Sequence, residues 1–522
     1  MRYSSGLLTL CLLLFFKSIS AQVPTFTTHV HPNAPGGYYF ISPFTQNMSD
    51  AYQMVLDSSG QLQYYRHMNG FSIDFKQLPG GGVSYWKSPY YYILNPQLQK
   101  IDSLTTRNNI LPDEHDIQLL PNGNYLIMGF EYRTMDLSHD SIFMAMALPG
   151  SKHAAVKAVV IQEITPTKQV AFEWKAADHL PFNTVDDFFV FDSANVDWTH
   201  SNAIELDHDG HLLLSSRHLN EITKINRQTG DVIWRFGGKY NNFTFIGDTV
   251  PFYGQHDVRR LPNGHLTLFD NGRNKSNRQH GARAVEYILD ESNFTAKLVR
   301  SYGYYPNQFS IAMGNVQSPD STIRLVNYGI YKDFFFNVID KANVSVFEME
   351  IMPGYYNYRA FLYKNLPLGM QSPPLLCADS AGVIKLTIAG NSDAAYWSNG
   401  QFSTVLTVTT TGEYFAMVKT PEGGFVKSQI LHLSELSNFC SSTNIQNNNG
   451  LAIHVYPNPT QALVNVKGIH FHTTVHWYNL QAIEVFPSIY QENEVTVYDF
   501  TALNKGLYFL KIDAQVVKLL VE

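Results

Sequence analysis

His256-Asp257-Val258-Arg259-Arg260-Leu261-Pro262-Asn263-Gly264-His265-Leu266-Thr267-Leu268-Phe269-Asp270-Asn271 reads as a strand, a tight Pro-Asn-Gly turn and a second strand, with an imidazole at its head. Two further copies lie upstream, His115-Asp116-Ile117-Gln118-Leu119-Leu120-Pro121-Asn122-Gly123 and His200-Ser201-Asn202-Ala203-Ile204-Glu205-Leu206-Asp207-His208-Asp209-Gly210. The same hairpin recurs at Asp74–Val83, with Ile73 in the histidine slot, and at Gly314–Ile323, again without the histidine. Successive copies stand roughly 42, 85, 56 and 59 residues apart, and a strand-rich repeat of that length is the signature of a β-propeller blade. The long interval requires an insertion, around Leu148–Thr165 or Ala177–Asp197. Equivalent positions of successive blades face one end of a central channel. His115, His200 and His256 are therefore expected to meet there, with the ring of His256 open to solvent.

The rest of the chain is also all-β. Residues 22–366 alternate short strands with Gly, Pro, Asn and Asp turns and show no long helical periodicity, which suits a six-bladed β-propeller. After the break at Ser372-Pro373-Pro374, residues 367–437 suggest a small immunoglobulin-like sandwich. A polar stretch at 438–450 reads as a linker, and residues 451–522 as a final β-sandwich module.

Composition narrows the function classes. Aromatic residues make up 14% and charged residues 16%, a balance that suits packed pleated surfaces. The net charge of −7, with no basic run, gives no support to a nucleic-acid or anionic-membrane partner. Residues 1–21 read as a signal peptide: Arg2, the apolar run Leu7–Phe16, then Ser18-Ile19-Ser20-Ala21. No later segment is apolar enough for a membrane helix, so an exported protein is expected. Cleavage removes Cys11 and leaves Cys377 and Cys440, which can pair in an oxidising compartment.

Two resemblances follow from particular motifs. Val455-Tyr456-Pro457-Asn458-Pro459-Thr460 and Gly506-Leu507-Tyr508 make residues 451–522 similar to a C-terminal sorting domain of type IX secretion, which implies that machinery as a partner and a secreted or cell-surface location. Glu114-His115-Asp116, Asp197-Trp198-Thr199-His200-Ser201-Asn202, Ser215-Ser216-Arg217-His218, Ile233-Trp234-Arg235-Phe236-Gly237-Gly238, and Gln255-His256-Asp257 with Phe269-Asp270-Asn271-Gly272 resemble the aryl-sulfate sulfotransferase family. That resemblance implies a six-bladed propeller that moves a sulfuryl group from a phenolic sulfate donor to a phenol acceptor, without a nucleotide donor, cofactor or metal. It implies that His256 takes the sulfuryl group covalently, and that His115, His200, Asn202 and Arg217 complete the catalytic set. The family also uses a tyrosine, for which Tyr64 and Tyr65 are the candidates.

The residue types suit such chemistry. A neutral imidazole is a good nucleophile. Arg217 can hold two sulfuryl oxygens in a fork while Asn202 donates to a third, and His115 or His200 can carry the phenol proton. Two other functions fit the same residues: a metal-dependent hydrolase or lyase with His115, His200 and His256 as ligands, and a surface binding protein without catalysis. The remaining histidines, among them His208, His211, His218 and His265, read as turn or surface residues. Asp116, Asp257 and Asp270 read as turn braces or histidine orienters, and Trp198 and Trp234 as core.

Overall fold

The structure is a computed structural model that describes residues 23–521 except 146–147, 186–191, 273–280, 305–307, 309, 331–334, 367–374, 379–383, 389–392, 434–453, 457–459, 461–462, 468–474, 480–483, 486, 493–494, 502, 504 and 513–514. The predicted signal peptide, the linker and Cys440 lie outside the described residues. The chain forms two compact units, 1–439 and 440–522.

In the first unit the chain folds into successive antiparallel sheets, each running outward from an inner strand. The inner strands are Ile73–Gln77, Leu111–Leu119, Ser201–Leu206, His256–Arg260, Asn315–Gln317 and Tyr355–Tyr363. Each touches the next, and Tyr355–Tyr363 touches Ile73–Gln77, so the strands close a propeller-like ring. Closure uses both ends of the ring: Tyr38–Thr45 pairs with Tyr355–Tyr363, and Phe26–Val30 pairs with the outer strand Ser345–Ile351. The predicted hairpins are present, with Gly123 and Gly264 at φ of 81° and 84°, a conformation that favours glycine, and their N–H groups donating to Leu120 and Leu261 carbonyls. Trp174, Trp198 and Trp234 are buried between sheets, where truncation of one to alanine costs about 3–5 kcal/mol.

The interval between the His115 and His200 hairpins is longer for a visible reason. After the outer strand Val170–Lys175, the chain passes through the short helix Ala176–His179 and returns as Asn195–Asp197, parallel to Ala154–Ile164. That return delivers Asp197 beside His200. The alternative insertion, Leu148–Thr165, is mostly the regular strand Ala154–Ile164.

The region read as a separate sandwich is continuous with the ring. Phe425–Lys427 pairs with Leu62–Asn69, and Ala416–Lys419, Ala395–Trp397 and Phe402–Ser403 extend the same sheet. A small core of its own, including Trp397, Leu386 and Leu406, lies beside that extension. Among the described residues the second unit has two four-stranded sheets around Val464, Trp477, Tyr498, Phe500 and Leu510.

One irregularity matters for the site. In the hairpins that begin at Ile73, Ser201 and His256 the pairing slips by a residue or more at the head of the inner strand. Such a bulge re-aims the extra residue. Here the extra residues are Asp74, Asn202 and Asp257, and Asp74 and Asp257 sit at φ of 56° and 59°.

Candidate active site

Each of the three predicted histidines is held by its own oxygen acceptor. His115, in the inner strand Leu111–Leu119, donates from Nδ1 to Asp113 at 2.6 Å. His200, at a positive φ of 43° just before Ser201–Leu206, donates from Nδ1 to the Asp197 carboxylate at 2.5 Å. His256, first residue of its strand, donates from Nδ1 to Asn271 Oδ1 at 2.7 Å. The His115 and His200 rings meet edge to face, centroids 5.5 Å apart, and both act electrostatically on His256. The structure thus brings His115 and His200 into ring contact.

Their protonation differs. Burial opposes charge on His115, but the Asp113 carboxylate outweighs it and raises the pKa above the ordinary imidazole value. For His200 burial wins, reinforced by His115 and Arg217, and the pKa falls. Burial and then Arg217 hold His256 well below the ordinary value, so its ring is neutral near pH 7.

Arg217 follows Leu212–Ser216 in a single 3₁₀ turn, with its N–H bonded to the His200 carbonyl. Its guanidinium donates to His218 Nε2 at 2.8 Å and to the Ile311 carbonyl at 3.0 Å. His218 is buried and lies stacked on His200 at 4.4 Å, so the expectation of a turn or surface role for it is overturned.

Three further expectations change. His256 is 2% exposed, not open: the N–H of Met313 caps its Nε2 at 3.2 Å, and Asn271 donates in turn to the Met313 carbonyl at 2.9 Å. Asn202 does not face a ligand. Fully buried, it donates to the Gln255 carbonyl and accepts from the Asp257 N–H, bracing the backbone that carries His256. Tyr64 and Tyr65 are core residues, the latter stacked on Phe425, because the alternation of their strand points both rings into packed layers. The tyrosine beside the histidines is Tyr358, 5.6 Å from the His115 ring and donating to the Asn202 carbonyl at 2.9 Å.

Nor do Asp116 and Asp257 orient histidines. With Asp74 they surround the fully buried Arg359, at 2.9, 3.2 and 3.1 Å respectively. Arg259 adds bonds to Asp116 and Asp257, both at 2.8 Å, and Lys76 to Asp74 and Asp116. Asp270 does brace a turn, accepting from the Tyr253 and Gly272 N–H groups.

A narrow cleft opens beside the histidines, lined by Asp113, His115, Phe130, Lys157, Asp197 and His200. Lys157 holds its ammonium 4.2 Å over the Phe130 ring and supplies a cation that sequence reading missed. A larger cavity of about 320 Å³ contains none of these histidines and is lined instead by the far ends of the inner strands, among them Gln77, Gln118, Gln317 and Tyr363. Among the described residues, the atoms close enough to share one metal ion belong to Asp197–His200–His218 and Asp113–Glu114–His115; His115, His200 and His256 form no such set.

Residues 24–359 match the family model described as Arylsulfotransferase (ASST), and residues 454–521 match the Secretion system C-terminal sorting domain. The sorting domain marks the protein as exported, to the cell surface or beyond, and among the described residues no helix is long and apolar enough to cross a membrane. No curated protein matches the chain. Similar solved structures include a protein of unknown function from Bacteroides caccae (10% identity, covering 63% of this chain and 100% of that chain, TM-score 0.40). Others are virginiamycin B lyase from Staphylococcus aureus (11%, 74% and 99%, TM-score 0.32) and a periplasmic gluconolactonase from Pseudomonas aeruginosa (12%, 77% and 99%, TM-score 0.34). These likenesses are too distant to inform the chemistry. The family match runs from the N-terminal closing strand into the last inner strand, and the chain belongs to the arylsulfotransferase (ASST) family.

Proposed function

We propose that the protein is an exported aryl-sulfate sulfotransferase, carried out by type IX secretion, that moves a sulfuryl group from a phenolic sulfate to a phenol through a sulfohistidine at His256. In this reading the ring of sheets is a six-bladed propeller and its histidine end is the active site. The observation that carries the assignment is the closed hydrogen-bond set on His256. Asn271 Oδ1 accepts the hydrogen bond of Nδ1–H and thereby leaves the Nε2 lone pair as the nucleophile, on a ring kept neutral by burial and Arg217.

The lone pair of Nε2 attacks sulfur and the bond from sulfur to the phenolic oxygen breaks. His115, whose raised pKa keeps a proton available, protonates the departing phenolate. The sulfated ring retains its Nδ1–H and becomes an imidazolium, a charge that the Asn271 oxygen stabilises. In the second half the acceptor phenol gives its proton to the now neutral His115, or to His200, and its oxygen attacks sulfur. The N–S bond breaks and the Nε2 lone pair returns. Arg217 neutralises the sulfuryl oxygens in both halves. Because the Met313 N–H caps Nε2 in the closed ring, attack requires that N–H to move from the lone pair to a sulfuryl oxygen of the incoming donor.

The test is incubation with 4-nitrophenyl sulfate and a phenol. Nitrophenolate release that depends on acceptor, loss of release in His256→Ala, and an added sulfuryl mass on His256 after exposure to donor alone are the expected results. Release undiminished in His256→Ala would remove His256 from the mechanism.

A further inference from the structure

We infer that His218 is a positioning residue for sulfuryl transfer: its Nε2 lone pair holds the Arg217 guanidinium in place against the reacting group. The inference rests on the sulfotransferase reading for the role of Arg217, but the geometry of His218 stands apart from it.

The argument starts at Asp197, which supports two histidines with two different oxygens. Its carboxylate accepts from His200 Nδ1, and its backbone carbonyl accepts from His218 Nδ1 at 2.6 Å. A carbonyl oxygen can only accept, so Nδ1 of His218 carries a hydrogen. Arg217 can only donate, so the His218 Nε2 that it meets at 2.8 Å carries a lone pair. The two contacts define one neutral tautomer. A protonated ring would place an N–H against the guanidinium and push it away. The charged and titratable groups facing the ring are Arg217, His200 and Asp197, and burial followed by His200 keeps it uncharged.

The position of His218 is fixed on its other sides as well. Its N–H bonds to the Thr199 carbonyl, and its ring stacks on His200 at 4.4 Å and 24°. Arg217 is a long side chain with several rotatable bonds, and a neutral acceptor tied to the histidine strand restricts it at low entropic cost. The Ile311 carbonyl also accepts from the guanidinium, at 3.0 Å. Imidazole fills this place because it combines a donor, an acceptor and a stacking face in one rigid ring.

Two substitutions separate the acceptor from the stack. His218→Phe keeps a flat ring on His200 and removes the lone pair; His218→Gln places a carbonyl oxygen near the position of Nε2. With 4-nitrophenyl sulfate as donor, His218→Phe is expected to lower kcat/KM by roughly 10–100-fold, with kcat falling alongside it, and His218→Gln to recover most of that loss. Equal losses in both variants, or none in His218→Phe, would overturn the inference. A second measurement does not depend on turnover. Nitrogen-15 spectra of histidine-labelled full-length protein should show His218 as the neutral Nδ1–H tautomer from pH 8 down to pH 5. The Nε2–H tautomer, or a ring that protonates above pH 6, would also overturn it. If the unmodified protein releases no nitrophenolate, the sulfotransferase reading fails, and the spectra still decide whether His218 holds Arg217 in this way.

Discussion

Asn271 Oδ1 lies 2.7 Å from Nδ1 of His256, and the amide nitrogen of the same side chain donates to the carbonyl of Met313, whose N–H returns to Nε2 of the same ring. Flipping the amide would set its NH₂ against the imidazole N–H and its oxygen against the Met313 carbonyl, so the three bonds fix one tautomer. Asn271→Ala releases the ring and is expected to lower kcat/KM for the sulfate donor by about 10²-fold, comparable to misplacing a reacting group by an ångström. Asn271→Asp keeps the shape but adds a negative charge. A carboxylate favours the charged imidazolium and raises the His256 pKa, so the acid limb of the pH–rate profile moves to higher pH. An unmoved limb would mean that Asn271 does not act through this ring.

His115 and His200 have carboxylate partners of the same kind, yet their pKa values move apart, which is the pattern of an acid and a base. Asp113→Asn removes the charge that keeps the proton on His115. The raised pKa falls, the acid form becomes scarce at neutral pH, and the alkaline limb of the profile moves to lower pH. The loss should depend on the leaving group: roughly 10²–10⁴-fold for phenyl sulfate, whose phenolate needs the proton, and much less for 4-nitrophenyl sulfate. Rates for a series of substituted phenyl sulfates check this. An equal loss across the series would assign His115 to binding instead.

How far the sequence could be read depended on the range of each interaction. The hairpin repeat is local, so the all-β ring and the contact of His115 with His200 were legible from their register. Arg217 was legible through the Ser-Ser-Arg-His segment, but the next residue, His218, was not, because a 3₁₀ turn rotates it back onto His200. The acidic partners were within reach: Asp113 and Asp197 stand two and three residues before their histidines, a spacing that could have been searched. The bulges were not visible, and they explain the misreading of Asn202, Asp116 and Asp257. Each is turned by a register slip toward partners from other sheets. Tyr358 was missed because it comes from the last inner strand, which carries no copy of the Pro-Asn-Gly hairpin.

Below the histidines, Arg359 joins strands that are far apart in the chain, and its loss should be felt in folding more than in turnover. Its Nη1 lies 3.1 Å from Asp74 and 2.9 Å from Asp116, partners 285 and 243 residues earlier, and its side chain is fully buried. Removing one partner from a buried network leaves the others uncompensated, so Arg359→Met is expected to cost about 3–5 kcal/mol near pH 7. The pH dependence identifies the cause. Burial alone would raise the Asp116 pKa, but Arg259, Arg359 and Lys76 together hold it well below the carboxylate range. A folded-state pKa depressed in this way contributes stability above the unfolded value, and that contribution is lost as pH falls toward the folded one. Without Arg359 the depression shrinks, so less of the variant's stability depends on pH. The gap between variant and unmodified protein should therefore be narrower near pH 2 than near pH 7, read by denaturant titration at both values. An equal gap at both would assign the role of Arg359 to its packing over the Tyr358 ring, 4.8 Å away, and not to the carboxylates.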